Sequence, residues 1–210
     1  NYPQQGEQWY LPQYVMLEQA QKPKSELTNG EFGVRAAKWS SFIDAAVSYQ
    51  QGWSKQPYPT STGLKYLRRE VVGTAWTKDF GKFVMRGEAA YSFFTETDDL
   101  LEYALDIDFK PVNDWQVIIE LAGEKPVDES SKQRIVLSNQ YDLTTYQQVE
   151  LNTVYNLADD SYLVNPKYNY TVQDGVDLTA GVYLFKGDAD TEWGALDNKD
   201  CIVTKLTKSF

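Results

Sequence analysis

The chain has 210 residues, of which 42% are hydrophobic and 24% are charged, with a net charge of −10 and no histidine. An acidic chain does not suit a nucleic-acid partner, and a chain without histidine cannot use a Ser-His-Asp triad, a Cys-His pair or histidine metal ligands. The single cysteine, Cys201, excludes an internal disulfide and a cysteine zinc cluster.

Side-chain type alternates with a period of two along most of the chain, which is the pattern of β-strands. In residues 100–109, Leu105 and Ile107 share one face while Asp106 and Asp108 share the other. Twelve segments follow this pattern, the first and fourth least clearly: 8–17, 31–40, 42–53, 64–78, 82–94, 99–110, 115–123, 133–143, 146–157, 161–171, 176–186 and 201–210.

The length of these segments and the lengths of their connections predict a membrane barrel. Many of the segments run for roughly nine to eleven residues, whereas strands of soluble proteins usually have about five or six. The connections after even-numbered strands are short, while those after odd-numbered strands include the long stretches 18–30, 54–63, 124–132 and 187–200. The sequence therefore predicts an all-β, transmembrane, antiparallel up-and-down β-barrel of twelve strands, with its long loops outside the cell.

Aromatic residues make up 14% of the chain, and many lie near the ends of predicted strands, where the aromatic girdles of a membrane barrel would be. Trp193 also lies near a strand end, whereas Trp76 fits this pattern less clearly. The competing interpretation is a soluble sandwich or lipocalin-like barrel, whose apolar side chains would point inward. The predicted membrane-anchoring residues are Trp9, Trp39, Trp53, Trp115, Tyr155, Tyr168 and Phe210.

The last predicted strand ends on an aromatic residue. Ile202, Thr204, Leu206 and Phe210 share one face of this strand, and Lys208 is the one member that does not suit an apolar environment. We expect Phe210 to lie at the periplasmic membrane interface, where the last strand closes the barrel against the first.

Strand parity turns a set of ionisable residues toward the lumen, where nine acids outnumber five bases. These groups either belong to an ordinary solvated barrel interior or form a selectivity lining, in which opposed rows of acids and bases create an electric field across the lumen. The clearest candidate for a constriction combines Arg86 and Glu88 with Glu102, Asp106 and Asp108 on the next strand. The full set is Arg35, Asp44, Arg86, Glu88, Glu102, Asp106, Asp108, Glu120, Arg134, Asp142, Glu150, Lys167, Asp177 and Lys205.

Catalytic and metal signals are weak. Asp106 and Asp108 would lie about 6.5–7 Å apart on one strand face, within the range of a glycosidase pair, but such spacing is common on any solvated strand. Asp188, Asp190 and Glu192 have the spacing of calcium-loop ligands without the glycine and distal glutamate of an EF-hand. We expect no enzymatic activity, no cofactor and no metal.

Two stretches, FVMRGEAAYSFF at 83–94 and YLVNPKYNYTVQDGVDLTAGVYLFKGDADTEWG at 162–194, carry a resemblance to a known family. Together with the terminal Ser-Phe, they resemble a large proteobacterial family of porin-like outer-membrane β-barrels described only as a domain of unknown function. Members are usually longer than this chain, so the alternative is the C-terminal part of a larger barrel or a sequence with shortened loops. The family supplies no catalytic residues.

This resemblance implies further properties. Genes of the family often lie beside RND-type exporters, which implies transport of an exported or hydrophobic solute. The terminal aromatic strand resembles the signal read by the barrel-assembly machinery.

The predicted function is an outer-membrane channel or export conduit with a polar, net-acidic lumen that passes small or hydrophobic solutes. The alternative is a non-conducting structural or adhesion barrel that acts through its extracellular loops. The expected location is the bacterial outer membrane. The expected partners are outer-membrane lipid and lipopolysaccharide, the barrel-assembly machinery and an RND-type export system, with no nucleic acid.

Overall fold

A computed structural model describes residues 23–24, 26–55, 57–60, 63–127 and 131–209 of the chain. The predicted strand 8–17, with Trp9, and the terminal Phe210 lie outside the described residues. Within the described part, no helix is long and apolar enough to cross a membrane. Apart from two 3-10 helices, Leu27–Asn29 and Gly194–Lys199, the regular structure consists of β1 (Phe32–Lys38), β2 (Asp44–Trp53), β3 (Tyr58–Thr60), β4 (Gly63–Lys65), β5 (Arg68–Asp79), β6 (Phe83–Phe94), β7 (Leu100–Val112), β8 (Trp115–Pro126), β9 (Lys132–Thr144), β10 (Gln147–Asn156), β11 (Tyr162–Gln173), β12 (Val176–Lys186) and β13 (Cys201–Lys208).

Eleven of these strands form one antiparallel sheet in the order β1-β2-β5-β6-β7-β8-β9-β10-β11-β12-β13. Each strand pairs with its neighbours along the chain, while β3 and β4 form a separate hairpin in the connection from β2 to β5. The prediction of an all-β, antiparallel, up-and-down fold is confirmed. Of the twelve predicted segments, the eleven from 31–40 onward each overlap one strand of this sheet, although several strands extend one to three residues beyond the predicted bounds.

The predicted segment 64–78 is divided into β4 and β5, which corrects its boundary. Ser54 and Leu67, both buried, hold the two sides of the connection together where the chain enters and leaves it. The Ser54 amide donates to the Leu67 carbonyl over 2.8 Å, and the Leu67 amide donates to Ser54 Oγ over 3.0 Å. This closure separates the β3–β4 hairpin from the main sheet.

Strands β5 to β12 each contain 10 to 13 residues, so they are long for a soluble protein. At one end of the sheet the connections are short, such as the turns 113–114, 145–146 and 174–175. At the other end lie the connections 54–67 and 187–200. The predicted loop 124–132 is shorter than expected, because β8 and β9 extend into it and pair Glu124 with Lys132 over 3.6 Å.

The cross-strand register separates polar and apolar side chains onto two faces. On the apolar face, Leu105 is paired with Leu121, and Ile107 with Ile119. Charged residues occur on this face only within three residues of a strand end: Lys38, Arg68, Glu70, Lys78, Lys125, Lys186 and Lys208.

The apolar face is exposed, and it does not form a buried core. Within the described part of the chain, the buried apolar residues are Ala46, Leu67 and Val117, whereas Ile119 at mid-strand is 44% exposed. A soluble sandwich or lipocalin-like barrel would turn this face inward. The arrangement is the opposite of the one that the soluble alternative predicts.

The sheet curves so that its polar face is concave. Arg35 on β1 and Val154 on β10 line the same cavity, although seven strand spacings of about 4.8 Å would separate them by about 34 Å in a flat sheet. Trp193, in the connection from β12 to β13, lines this cavity as well. Among the described residues, the edge strands β1 and β13 each have one strand neighbour.

Gly87 gives the first testable prediction, because a Cβ atom at this position would collide with the indole of Trp76 on the apolar face. We expect Gly87→Ala to lower the free energy of unfolding by about 1–3 kcal/mol, the usual cost of overpacking. Denaturant unfolding followed by circular dichroism measures this change. Gly33→Ala is the control, since its nearest neighbouring atom would lie at 3.6 Å, an ordinary contact distance. Equal losses in both variants would contradict the packing of Trp76 on Gly87.

Candidate functional site

The concave face contains a cavity of about 740 Å³ on the side of the long connections. Its wall is built from small side chains at facing positions of neighbouring strands, including Ala46 on β2, Gly73 on β5, Ala104 on β7 and Ala122 on β8. These positions carry one methyl group or none, so the side chains leave the space inside the curved sheet unfilled.

Six charged residues line the cavity: Arg35, Glu88, Glu102, Glu120, Glu124 and Arg134. Five of them belong to the set that strand parity turns inward, and Glu124 was predicted to lie in a loop. Four acids and two bases give the cavity a formal charge of −2. The sequence could have indicated Glu124, because it lies four residues after Glu120 and therefore on the same face of a strand that extends to Pro126.

The register puts all fourteen of the predicted inward residues on the concave face. Five line the cavity, and the other nine lie at mid-strand or nearer to the short turns: Asp44, Arg86, Asp106, Asp108, Asp142, Glu150, Lys167, Asp177 and Lys205.

Arg86 joins two carboxylates of the next strand. It is the direct register partner of Asp106, and its Nε donates to Oδ1 over 2.9 Å while Nη2 lies 2.8 Å from the same oxygen. Asp108 Oδ2 lies 3.6 Å from Arg86 Nη2, and Gln116 Nε2 donates to Asp108 Oδ1 over 3.0 Å. Three of the five residues of the predicted constriction therefore meet.

Glu88 and Glu102, the other two members of the predicted constriction, are apart from this group. Glu88 lies opposite Ala104 and Glu102 lies opposite Ala90, so both carboxylates project among the small residues of the cavity wall. Side-chain alternation along β6 and β7 does not show which acids meet Arg86. That depends on how far the two strands are offset from each other in the register.

A second paired group lies on β10 to β12. Lys167 Nζ is 3.7 Å from Glu150 Oε2, and Asn169 Nδ2 donates to Glu150 Oε1 over 2.6 Å. Thr179 Oγ1 in turn donates to Asn169 Oδ1 over 2.8 Å. Glu150 and Lys167 neutralise each other here, whereas the single charge of Arg86 is shared between Asp106 and Asp108.

Three of the four carboxylates of the cavity differ from these paired groups, while the fourth, Glu124, is paired with Lys132. Within the described residues, Glu88, Glu102 and Glu120 form no hydrogen bond and no ion pair with another side chain, and neither do Arg35 and Arg134. The cavity thus concentrates the unpaired charges of the concave face.

The connection 187–200 folds inward over the cavity. Trp193 stacks on Phe185 with ring centroids 6.1 Å apart, and Asn156 Nδ2 donates to Glu192 Oε2 over 3.1 Å. The tight bend brings the Gly194 Cα so close to the Asp188 carbonyl that a Cβ atom there would collide with it. The expected place of Trp193 in an outer aromatic band is wrong, because the stacking and hydrogen bonds draw the ring inside.

The β3–β4 hairpin covers another part of the same end. The Tyr58 ring packs on Phe94 with centroids 5.2 Å apart. Burial raises the pKa of Tyr58, Arg69 opposes this rise, and the charges of Glu102 and Glu124 add to it. Both long connections therefore reach the rim of the cavity.

The predicted anchoring residues within the described part lie on the apolar face or at strand ends. Trp39 is 76% exposed beside the end of β1, and Trp115 donates its Nε1 hydrogen to Asn139 Oδ1. Tyr155 donates its hydroxyl hydrogen to Asp160 over 2.6 Å, and Tyr168 is exposed on β11. Trp53 donates to the Asn29 carbonyl over 3.1 Å at the end of β2.

Comparison of the chain with protein-family models, with curated proteins and with solved structures gives no match.

Asp159 fastens the 187–200 connection and gives a prediction. Its two carboxylate oxygens accept hydrogen bonds from the Glu192 amide over 3.0 Å and from Ser161 Oγ over 2.6 Å. Burial acts to raise the pKa of Asp159, but these bonds and that from the Ser161 amide lower it below the ordinary 3.8. A lowered pKa stabilises the folded loop above pH 3.8, and this contribution is lost as the pH falls through the folded value.

We expect Asp159→Asn to increase amide hydrogen exchange across residues 187–200 by about three- to tenfold at pH 7, because an amide keeps one of the two acceptor oxygens. The parent protein should lose the same protection in acid, after correction for intrinsic exchange. Asp190→Asn removes the same charge from the same loop and is the control. Equal exchange in the two variants would show that Asp159 does not hold the loop.

Proposed function

We propose that this chain forms a closed β-barrel in the bacterial outer membrane and acts as a channel or export conduit with a net-acidic lumen. The observation that carries the proposal is the arrangement of the two faces, apolar and exposed outside, polar and concave inside. Strands of about 9–11 tilted residues cross the apolar part of a membrane. Strands β5 to β12 meet this requirement with 10 to 13 residues.

Strand directions support a barrel of twelve strands. In an up-and-down sheet of eleven strands, β1 and β13 run in the same direction, so direct pairing between them would be parallel. One further strand between β1 and β13 would make every pairing antiparallel; the sequence predicts a twelfth strand at 8–17, which lies outside the described part. Such a closure gives the even, fully antiparallel count of bacterial outer-membrane barrels.

Exposed aromatic residues near the strand ends support a membrane environment. Trp39 and Phe42 at the first short turn are 76% and 72% exposed, and Tyr146 at another short turn is 60% exposed. Lys78 Nζ lies 3.4 Å from the centre of the Phe42 ring, as expected for a lysine that extends toward an interface. At the opposite end, Phe32 is 61% exposed.

The remaining parts of the proposal rest on the family resemblance. They are export together with an RND-type system, contact with lipopolysaccharide, and recognition of the C-terminal strand by the barrel-assembly machinery. The exposed, alternating side chains of β13 suit such recognition, since Ile202 and Leu206 share its apolar face.

The second candidate function is a non-conducting barrel that acts through its loops. The inward fold of Trp193 and the packing of Tyr58 near Glu102 favour this candidate, because both narrow the cavity at the loop end. Electrical conductance separates the two functions.

A pair of adjacent isoleucines tests the membrane orientation. Ile119 lies on the apolar face and Ile118 on the polar face, next to Asp108. We expect Ile119→Lys to cost about 2–4 kcal/mol if it faces lipid at mid-membrane, and therefore to reduce the amount of folded protein in outer-membrane fractions. Ile118→Lys is the matched control and should assemble normally. Equal assembly of both variants, or a defect in Ile118→Lys alone, would contradict the proposed orientation.

Conductance and ion selectivity test the channel itself. In planar bilayers under a salt gradient, we expect the reversal potential to show cation preference, because unpaired carboxylates outnumber unpaired arginines in the cavity. The triple variant Glu88→Gln, Glu102→Gln and Glu120→Gln should move the reversal potential toward zero or toward anions. The preference should fall in high salt, since the Debye length shortens from about 10 Å at 0.1 M to about 3 Å at 1 M.

The control for this measurement is Glu26→Gln with Glu70→Gln and Glu96→Gln, which removes three charges outside the concave face. An anion-selective parent would refute the acidic lumen. If the parent does not conduct at all, the loop-based function replaces the channel.

A further inference from the structure

We infer that the cavity is a binding site for an amphipathic organic cation, an ammonium group carried by a compact aromatic or aliphatic body. This inference names the solute class of the proposed channel and rests on the proposed function only for how the solute arrives. Three features of the cavity carry the inference: its unpaired carboxylates, its small-residue wall and the indole at its mouth.

The carboxylates provide the charge that an ammonium group requires. Glu88 on β6, Glu102 on β7 and Glu120 on β8 belong to three consecutive strands of the sheet, and the register puts Glu88 level with Ala104 and Glu120 level with Asp106, two and four residues along β7 from Glu102. None has a hydrogen-bond or ion-pair partner within the described residues, in contrast to Asp106 and Glu150 deeper in the concave face. Their negative charge is therefore available to a ligand.

The spacing of these acids suits an organic cation better than a metal ion. Among the described residues, no three carboxylates lie close enough together to hold one metal ion. Ala104 lies opposite Glu88 and Ala90 lies opposite Glu102 on the β6 side, whereas on the β8 side Glu102 lies opposite Glu124, so the acids are spread along the wall in ones and twos. A ligand with several N–H donors or a broad methylated ammonium can contact two of these acids at once.

The size and lining of the cavity define the body of the ligand. A volume of about 740 Å³ is within the range of roughly 300–1,000 Å³ found for small-molecule pockets. Val136 and Val154 give the wall an apolar side, and the Trp193 ring lies at the mouth. An aromatic ring attracts cations through its face and packs against apolar groups.

Two further groups limit the charge and the polarity of the ligand. Because Glu124 is paired with Lys132, three unpaired carboxylates face the two unpaired arginines Arg35 and Arg134, and this excess of one negative charge favours a monocation over a polyamine. The Nε1 hydrogen of Trp193 is buried and has no acceptor among the described residues. Because this nitrogen has no accessible surface, the indole presents its ring, and no hydrogen-bond donor, to a ligand in the cavity.

Titration calorimetry of the detergent-solubilised protein tests the inference, with benzyltrimethylammonium as the cation and benzenesulfonate as the anion of the same shape. We expect binding of the cation and none of the sulfonate. The triple variant Glu88→Gln, Glu102→Gln and Glu120→Gln should weaken cation binding by about tenfold or more. Trp193→Ala should weaken it by about two- to fivefold.

The matched control is the Glu26, Glu70 and Glu96 triple variant, which removes the same charge elsewhere and should bind like the parent protein. A second variant, Ala104→Leu, occupies the cavity without a change of charge and should also weaken binding. Equal binding of the cation and the sulfonate, or unchanged binding in the cavity triple variant, would overturn the inference. Binding is measured without a membrane, so a failure to bind the cation says nothing against conductance. Conversely, a protein that binds the cation but does not conduct would refute the channel and leave the binding site standing.

Discussion

The structure depends on one constraint, the cross-strand register that keeps side-chain parity in phase over eleven strands. A slip of one residue in any pair would move a whole strand's apolar side chains to the concave face. The register irregularities that occur, after Phe109, before Gln148 and after Thr171, lie near the short turns. Parity at mid-strand is therefore preserved from β1 to β13, and it alone makes one continuous face apolar and the other polar.

Charge is distributed unevenly over the polar face, and side-chain size explains how. Near Arg86 the residues are large enough to reach one another, so the guanidinium group, the carboxylates of Asp106 and Asp108 and the Gln116 amide are joined by hydrogen bonds and ion pairs. Where alanine and glycine replace them, at Ala104 and Gly73 for example, the acids have no partner within reach. The same small residues therefore produce both the cavity and its unpaired charge.

The sequence alone was sufficient for the strands and their faces, since both follow from a period of two that is local and repeated. The sequence was insufficient where a few contacts between distant residues determine the position of a side chain. Trp193 was expected on the outside, but hydrogen bonds that join residues more than thirty positions apart, such as Asn156 with Glu192, fold its loop inward. Likewise, parity put Arg86 and Glu88 together, and only the register with β7 shows that Arg86 is paired and Glu88 is not.

The loop contacts also set how a conduit of this kind would open. Three hydrogen bonds hold the loop at its tip, from Asn156 to Glu192, from the Glu192 amide to Asp159 and from the Trp193 amide to Ser161. At about 0.5–1.5 kcal/mol net each, they stabilise the closed position by roughly 1.5–4.5 kcal/mol, and the stacking of Trp193 on Phe185 adds to this. The open position of the loop would therefore be a minor state without a ligand. A cation that binds only while the loop is open would increase the population of the open position, because it stabilises that position and not the closed one.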